Sequence, residues 1–348
     1  MNRASRLSGL ALTLGALALS AGFGLAPLAG PSALAQEATP GVTPVALAVA
    51  REGLPESCAA ESPVLGVALP NTVNPYYVAM QDSFIRNGEA AGFEVRMAIA
   101  NDSDQNQLSQ IDAFVQQGVC AVALNAVNSG PGAASVAALN RAGIPVFTVN
   151  VIVSPEDLER QQAEIIQYVG ADQVQGGQVM GEAVVEDYGA DAEIVYGIVG
   201  NPDQIPTNQR DDGFREALSG NANAREAGLV NGKVDPNISL QVTTELLQGN
   251  PDINVIWADT GPHAVGAIQA IRQLGREGQV ALYGFCAAET ALDDTLYRGC
   301  AAQEPADYAR IVVENVVQYL NGNDVPVEVL QPLKVFAEGE TPAPGEVG

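Results

Sequence analysis

Side chains able to do covalent chemistry are scarce in this sequence of 348 residues, which holds one histidine, His263, and four cysteines, Cys58, Cys120, Cys286 and Cys300. A nucleophilic cysteine needs a neighbouring base and a third group to orient that base. With a single histidine and no orienting group near it or near Cys286, that constellation is not written here, and a zinc site lacks its second imidazole. Hydrolysis by paired carboxylates would fall to Asp211, Asp212 and Asp259, whose spacing recommends none of them. The glycines of GGQVMG (176–181) do not have the G-x-G-x-x-G spacing of a dinucleotide loop. Asp102-Ser103-Asp104-Gln105-Asn106 opens like a calcium loop, but Gln107 stands where the turn needs glycine and Ala113 where a closing glutamate belongs, so a helix cap is expected there. The sequence therefore reads as a non-enzyme with no metal and no cofactor.

What remains is a vocabulary for non-covalent recognition. Aromatic residues make up only 5% of the chain, yet Tyr76 and Tyr77 stand side by side directly after the loop Asn71-Thr72-Val73-Asn74-Pro75. That loop follows the apolar run Val64–Leu69 and precedes a helical pattern whose apolar positions Tyr77, Met80, Phe84 and Ile85 recur at three- and four-residue spacing. In open parallel sheets, ligands bind beyond the carboxyl ends of the strands. A pair of tyrosines at such an end offers flat aromatic surface with hydroxyls at its rim.

Composition supports an exported, strongly hydrated protein. There are 16 Lys+Arg against 41 Asp+Glu, a net charge of −25, and 47% of the residues are apolar. So acidic a surface disfavours unaided binding to nucleic acid or an anionic membrane. Arg3 and Arg6, the apolar run Leu7–Leu19 and the small-residue site Ala33-Leu34-Ala35 have the layout of a signal peptide over residues 1–35, cleaved before Gln36. Its removal takes two arginines and no acid, leaving 14 basic against 41 acidic residues, a net −27. Four cysteines in an exported chain allow three disulfide pairings. If the runs beginning near Cys58 and Cys120 are neighbouring strands, those two can be bridged; Cys286, ending one strand, and Cys300, beginning the next, form the other expected pair.

The rest of the chain alternates with a steady period. Nine short apolar, β-branched runs (64–69, 93–99, 119–124, 146–149, 165–169, 194–199, 255–258, 281–285 and 300–303) are separated mostly by helical stretches of 10 to 18 residues. Such alternation specifies an α/β fold, doubly wound parallel sheets covered on both faces by helices, and nine strands are best divided between two lobes. Residues 36–62 and 338–348, rich in Pro, Glu, Gly and Ala, read as a flexible N-terminal linker and a disordered tail.

The segment VLGVALPNTVNPYYV (64–78) resembles the first strand and loop of the ribose-type periplasmic sugar-binding proteins. Further segments resembling the family follow in its order: QQGVCAVALNAVN (116–128), NRAGIPVFTVN (140–150), YVGADQVQGGQVMGEAV (168–184), NQRDDGFREAL (208–218), NPDINVIWADTGPHAVGAIQAI (250–271), LYGFC (282–286) and GCAAQEP (299–305). The resemblance spans about residues 63–335. It implies a type I periplasmic binding protein: a solute receptor of an ABC importer, with two lobes joined by three hinge crossings near 169–172, 303–305 and 329–332. Lobe one would be 63–170 plus 304–328 and lobe two 171–303 plus 329–337.

Carried over position by position, the resemblance makes Tyr76 and Tyr77 the aromatics that face a sugar, with Tyr77 the stacking surface. Asn74 is a hydrogen-bonding partner, Arg210 the arginine that reaches in from lobe two, and Gln303 a hinge-adjacent amide. Asp259 and Thr260 supply a polar contact at a strand end, as does Asn125. Two positions depart from the pattern: Asn150 stands where the family has an acid, and so does Cys286. Both are retained as ligand-facing positions. The implied function is delivery of a small sugar or polyol to a membrane permease by a monomeric protein that binds no nucleic acid. A ligand-sensing receptor for a membrane kinase or chemoreceptor is the alternative, since the same fold serves both.

Overall fold

The computed structural model describes residue 47 and residues 49–348 apart from 289 and 294; the expected signal peptide lies outside these residues. Twelve strands form among the described residues, and the interior ones, which come from the apolar runs, are buried on both faces: β1 (Val64–Leu69), β2 (Glu94–Ile99), β3 (Ala121–Leu124), β4 (Val146–Val149), β5 (Gln167–Ala171), β6 (Ile194–Gly200), β7 (Ala224–Asn231), β8 (Val255–Ala258), β9 (Ala281–Phe285), β10 (Tyr297–Ala302), β11 (Glu328–Gln331) and β12 (Lys334–Ala337). Between them run α1 (Pro75–Ala90), α2 (Asp104–Gln117), α3 (Ser129–Arg141), α4 (Pro155–Gln161), α5 (Gln173–Tyr188), α6 (Ile205–Leu218), α7 (Pro236–Gly249), α8 (Gly261–Gln273) and α9 (Pro305–Leu320). Polar residues at strand ends start the helices. Asn74, Ser103, Ser154, Asp172, Asp235 and Thr260 each accept a hydrogen bond from a backbone N–H of the following first turn, satisfying donors a helix cannot pair internally. Ser103 is thus the helix cap expected of the acidic run at 102–106.

Two six-stranded sheets result, in the orders β2-β1-β3-β4-β5-β11 and β7-β6-β8-β9-β10-β12. All pairings are parallel except β10 with β12. The fold is therefore two parallel-sheet α/β lobes of the type I periplasmic binding protein kind. The chain passes from the first sheet to the second between Ala171 and Gln173, returns between Ala302 and Pro305, and crosses again between Gln331 and Lys334. Helix α9 lies on the first sheet against α1, burying Tyr308, Val312 and Val316 in the cluster that holds Leu65, Val67 and Phe147. On the second sheet, α5 and α6 approach to backbone contact. A Cβ added at Gly177 would sit 1.9 Å from the Arg210 carbonyl oxygen, and one at Gly213 2.1 Å from that of Val174. This close approach is what Gly177 and Gly181 serve, while Gly176 packs against Phe285 and Leu333.

Both disulfides join the expected partners. Cys58 bonds Cys120 and Cys286 bonds Cys300. The second is possible because β10 begins at Tyr297 rather than at Cys300, so the Cys286 N–H donates to the Ala301 carbonyl at 2.9 Å and the two cysteines sit side by side. Cross-linking a loop 62 residues long removes unfolded-state entropy worth about 4 kcal/mol in the chain-entropy description.

Residues 49–62 and 338–348 are more ordered than their composition suggests, while 36–46 and 48 of the expected linker lie outside the described residues. Within 36–62, expected to be a flexible linker, the N–H groups of Ala50 and Arg51 donate to the Leu320 carbonyl, the Arg51 guanidinium lies 4.0 Å from the Tyr319 ring centre, and Cys58 is buried. Residues 338–348, expected to be a disordered tail, run back across the molecule: Val347 exchanges both backbone hydrogen bonds with Gln303, and Lys334 pairs with Glu346 at 2.7 Å. In each case a few anchors, a disulfide, a ring and one valine, hold a segment too poor in apolar residues to order itself.

Candidate functional site

The carboxyl ends of β1, β3, β4 and of β6, β8, β9 face one another across the gap between the lobes. A cavity of about 30 Å³ there is bordered by Asn74, Tyr76, Tyr77, Asn150, Arg210, Thr260 and Gln303. These seven of the expected ligand-facing residues are brought together. Three others are not in its lining. Asn125 lies buried at the end of β3 with Nδ2 3.6 Å from the Met80 sulfur and Oδ1 without a hydrogen-bond partner among the described residues. The Asp259 carboxyl turns inward, and Cys286, in its disulfide, borders a second, larger cavity instead.

Each side chain is held by identifiable partners. The Tyr76 hydroxyl donates to Asn150 Oδ1 at 3.0 Å, and the rings of Tyr76 and Tyr77 meet edge to face with centres 5.5 Å apart. Asn150 adopts a left-handed φ of 62° immediately after β4, a conformation Asn tolerates better than most residues; its carbonyl accepts from the Tyr168 hydroxyl. Gln303 Oε1 accepts from the Tyr308 hydroxyl at 3.3 Å, while its buried Nε2 has no partner among the described residues. Burial holds the phenols of Tyr76, Tyr77, Tyr168 and Tyr308 above the ordinary tyrosine range, so they remain donors.

Arg210, on α6, enters from the second lobe. Its Nε donates to Gln173 Oε1 at 2.7 Å, one terminal nitrogen donates to the Asp259 carbonyl at 2.6 Å, and the guanidinium lies 3.6 Å from the Phe285 ring centre. Burial lowers its pKa while Asp259 opposes the shift. The second terminal nitrogen makes no hydrogen bond to a described residue, so a planar charged donor is left at the cavity.

Beneath it lies a buried acid network. Asp259 Oδ1 is 2.5 Å from His263 Nδ1 and its Oδ2 accepts from the Asn201 N–H; His263 Nε2 accepts from the Val234 N–H at 2.8 Å, which fixes the imidazole as neutral with its proton on Nδ1. The only histidine thus ties the cavity-lining loop at Val234 to β8. Neighbouring Asp211 takes a hydrogen bond from Trp257 Nε1, and its carboxyl is pushed well above the usual range, first by burial and then by the charge of Asp259. An acid whose value in the fold exceeds its unfolded value of 3.8 favours the folded state fully below that pH, and the advantage is lost as pH rises through the raised value. Asp211→Asn is accordingly expected to flatten the fall in stability toward alkaline pH, measured by urea unfolding from pH 4 to 9.

Sequence reasoning passed over Gln204, Thr207 and Val234, which also border the cavity. Gln204 was findable, because it stands in the loop after β6 just as Asn74 stands in the loop after β1. Its Nε2 donates to the Val127 carbonyl at 2.8 Å, and beside it the Ile205 N–H donates to Ser129 Oγ at 2.8 Å and the Ser129 N–H to the Asp203 carbonyl at 3.3 Å. These bonds join loops of opposite lobes, so the structure is a closed form. Gln204→Ala removes one net hydrogen bond, about 0.5–1.5 kcal/mol. It is expected to shift the open-to-closed ratio two- to tenfold toward open, visible as an increased radius of gyration in solution scattering.

Comparisons with known proteins place this geometry in context. A family model described as a periplasmic binding protein domain matches residues 65–324. The ribose import binding protein of Bacillus subtilis is 25% identical over 274 residues, covering 78% of this chain and 86% of that protein. Two solved ABC transporter solute binding proteins share the fold. One from Mycobacterium smegmatis with bound glycerol has a TM-score of 0.72 at 24% identity, covering 80% of this chain and 94% of its own. One from Bacillus halodurans with bound myo-inositol has a TM-score of 0.69 at 20% identity, covering 80% and 96%.

Proposed function

Because the chain belongs to the periplasmic binding protein domain family, matched over residues 65–324, we propose that it is an exported solute receptor that clamps a small sugar or polyol between its lobes and delivers it to an ABC importer. The observation that carries the reading is the buried Nε2 of Gln303, without a partner among the described residues, on a residue that borders one cavity together with Tyr77 and Arg210. A polyol presents apolar C–H faces to an aromatic ring and hydroxyl oxygens to fixed planar donors. The ribose, glycerol and myo-inositol named for the relatives are ligands of this chemical class.

With Asn150 and Cys286 at the two positions where the resemblance calls for acids, the site is rich in donors and poor in carboxylate acceptors. Hydroxyls, which both donate and accept, still suit it; the carbonyls and Asn150 Oδ1 take their protons. In this reading, export through a cleaved signal peptide places a monomer outside the cytoplasm. The solute binds in the open form, and the contacts of Gln204 and Ser129 complete the closed form that a permease reads.

A thermal-shift screen of the mature chain against pentoses, hexoses, glycerol and inositols tests the proposal. At a hundredfold excess over Kd a true ligand adds about 2.7 kcal/mol to stability, so at least one compound is expected to raise the melting temperature saturably. Absence of a shift across the panel counts against it.

A further inference from the structure

The segment Glu340–Gly348 (ETPAPGEVG) brings Val347 and Gly348 to the cavities between the lobes. Val347 exchanges backbone hydrogen bonds with Gln303 at 2.7 and 3.1 Å, the Gly348 N–H donates to the Cys286 carbonyl at 3.1 Å, and the Gly348 carbonyl accepts from the Gly261 N–H at 2.8 Å. One strap of chain thus touches a hinge crossing and the strand ends of lobe two. Val347 is 3% exposed and shares its buried cluster with Tyr76, Tyr77 and Tyr308 of lobe one. The seat is tight, since a Cβ on Gly348 would lie 2.3 Å from Phe285 Cβ.

The strap also partitions the space. Gly348 borders both the cavity of about 30 Å³ beside Tyr77 and Arg210 and a neighbouring one of about 270 Å³ lined by Asn74, Asp102, Gly261, Cys286 and Val347. Thirty cubic ångströms is roughly one water's share of the liquid, whereas small-molecule sites run to about 300–1,000 Å³. A sugar reaches Tyr77, Arg210 and Gln303 together only when the strap leaves and the two spaces merge.

We propose that residues 340–348 are a tethered competitor for the solute: a built-in occupant of the clamp that holds the lobes closed and is displaced when a sugar or polyol binds. The inference rests on the solute-receptor reading for the identity of the displacing ligand. Its chemistry suits displacement, because within the gap the contacts are backbone hydrogen bonds and one buried side chain, Val347, while Pro342 and the Lys334–Glu346 ion pair hold the segment on its way there. Nine residues lie between the end of β12 at Ala337 and Val347, and so short a tether supplies an effective concentration on the order of millimolar. The apparent affinity for the solute is lowered by the fraction of molecules in which the strap is seated, which selects for solutes that bind strongly enough to evict it.

The test compares the full chain with full-length Val347→Asp and Gly348→Ala variants. Calorimetry with pentoses, hexoses, glycerol and myo-inositol is expected to give at least tenfold tighter binding for both variants, and the peptide ETPAPGEVG added in trans is expected to raise the melting temperature of Val347→Asp and to weaken its solute binding. Unchanged or weaker affinity in both variants, or a peptide without effect, overturns the proposal. If no solute binds any form while the peptide still stabilises Val347→Asp, the receptor reading falls and the strap's place in the cleft stands. Should the variants not fold, amide hydrogen exchange on the unsubstituted chain decides. The amides of Val347 and Gly348 are expected to be protected alone and to exchange at least tenfold faster with saturating solute; unaltered exchange overturns the proposal.

Discussion

Arg210→Ala is expected to weaken solute binding by at least a hundredfold. Hydrogen bonds to a charged group are worth about 1.5–3 kcal/mol each, and Arg210 is the one cation bordering the cavity among the described residues. Its guanidinium plane is set before any ligand arrives, by Gln173, the Asp259 carbonyl and the Phe285 ring. That preparation also means the substitution cannot be silent for the fold. It strands Gln173 Oε1 and a buried carbonyl, at a cost of about 1–3 kcal/mol. Arg210→Lys keeps the charge but not the fork, and is expected to restore stability only in part and binding hardly at all. Calorimetry on both variants, beside urea unfolding, separates the two effects; a dissociation constant for Arg210→Ala within threefold of the unsubstituted value contradicts the assignment.

Gly177→Ala is expected to be the most damaging single methyl in the protein. The added carbon would stand 1.9 Å from the Arg210 carbonyl oxygen and 2.7 Å from the Phe214 nitrogen, both main-chain atoms that cannot rotate away. Helices α5 and α6 must part, and they carry Gln173 and Arg210. A loss on the order of 4–5 kcal/mol, at the upper end for point substitutions, is expected in urea unfolding. Gly249→Ala, where no atom lies within 4 Å, is the control and should change stability little. Equal behaviour of the two variants would show that the helix contact is looser than described.

The strand–helix alternation was legible because doubly covered parallel strands read as unbroken apolar runs: β1, β4, β8 and β9 begin and end where their runs do. The edges were not. Strand β7 (AREAGLVN) is half exposed, and β11 and β12 are four-residue edge strands with exposed valine and leucine, so none shows the buried signature. Helix α4 has seven residues, too few for its period to stand out. At the site, Tyr76 and Tyr77 could be picked out from their place after a strand, and Arg210 and Gln303 from the resemblance. The direction of a side chain at a strand end could not. Thr260 borders the cavity while its neighbour Asp259 turns inward to His263, because the carboxyl is claimed by the imidazole and the Asn201 amide. The seat of residues 340–348 was hidden for another reason: its partners are main-chain groups more than 40 residues away in sequence, which composition does not encode.

The acidity that dominates the composition has little share in the site. Of the carboxylates near the gap, Asp259 is consumed by His263 and Asn201, Asp211 by Trp257, and Asp102 and Asp235 border the outer cavity, the first with its Oδ1 on Asn71 and the second capping α7. In the proposed reading, recognition falls to uncharged planar groups, one aromatic pair and one arginine. The most direct measurement is calorimetric titration of the mature, oxidised chain and its Val347→Asp form with pentoses, hexoses, glycerol and myo-inositol. At least one of them is expected to bind one molecule per chain, saturably, with the binding abolished by Arg210→Ala. No heat of binding to either form from any member of the panel would contradict the assignment of the gap between the lobes as a sugar or polyol site.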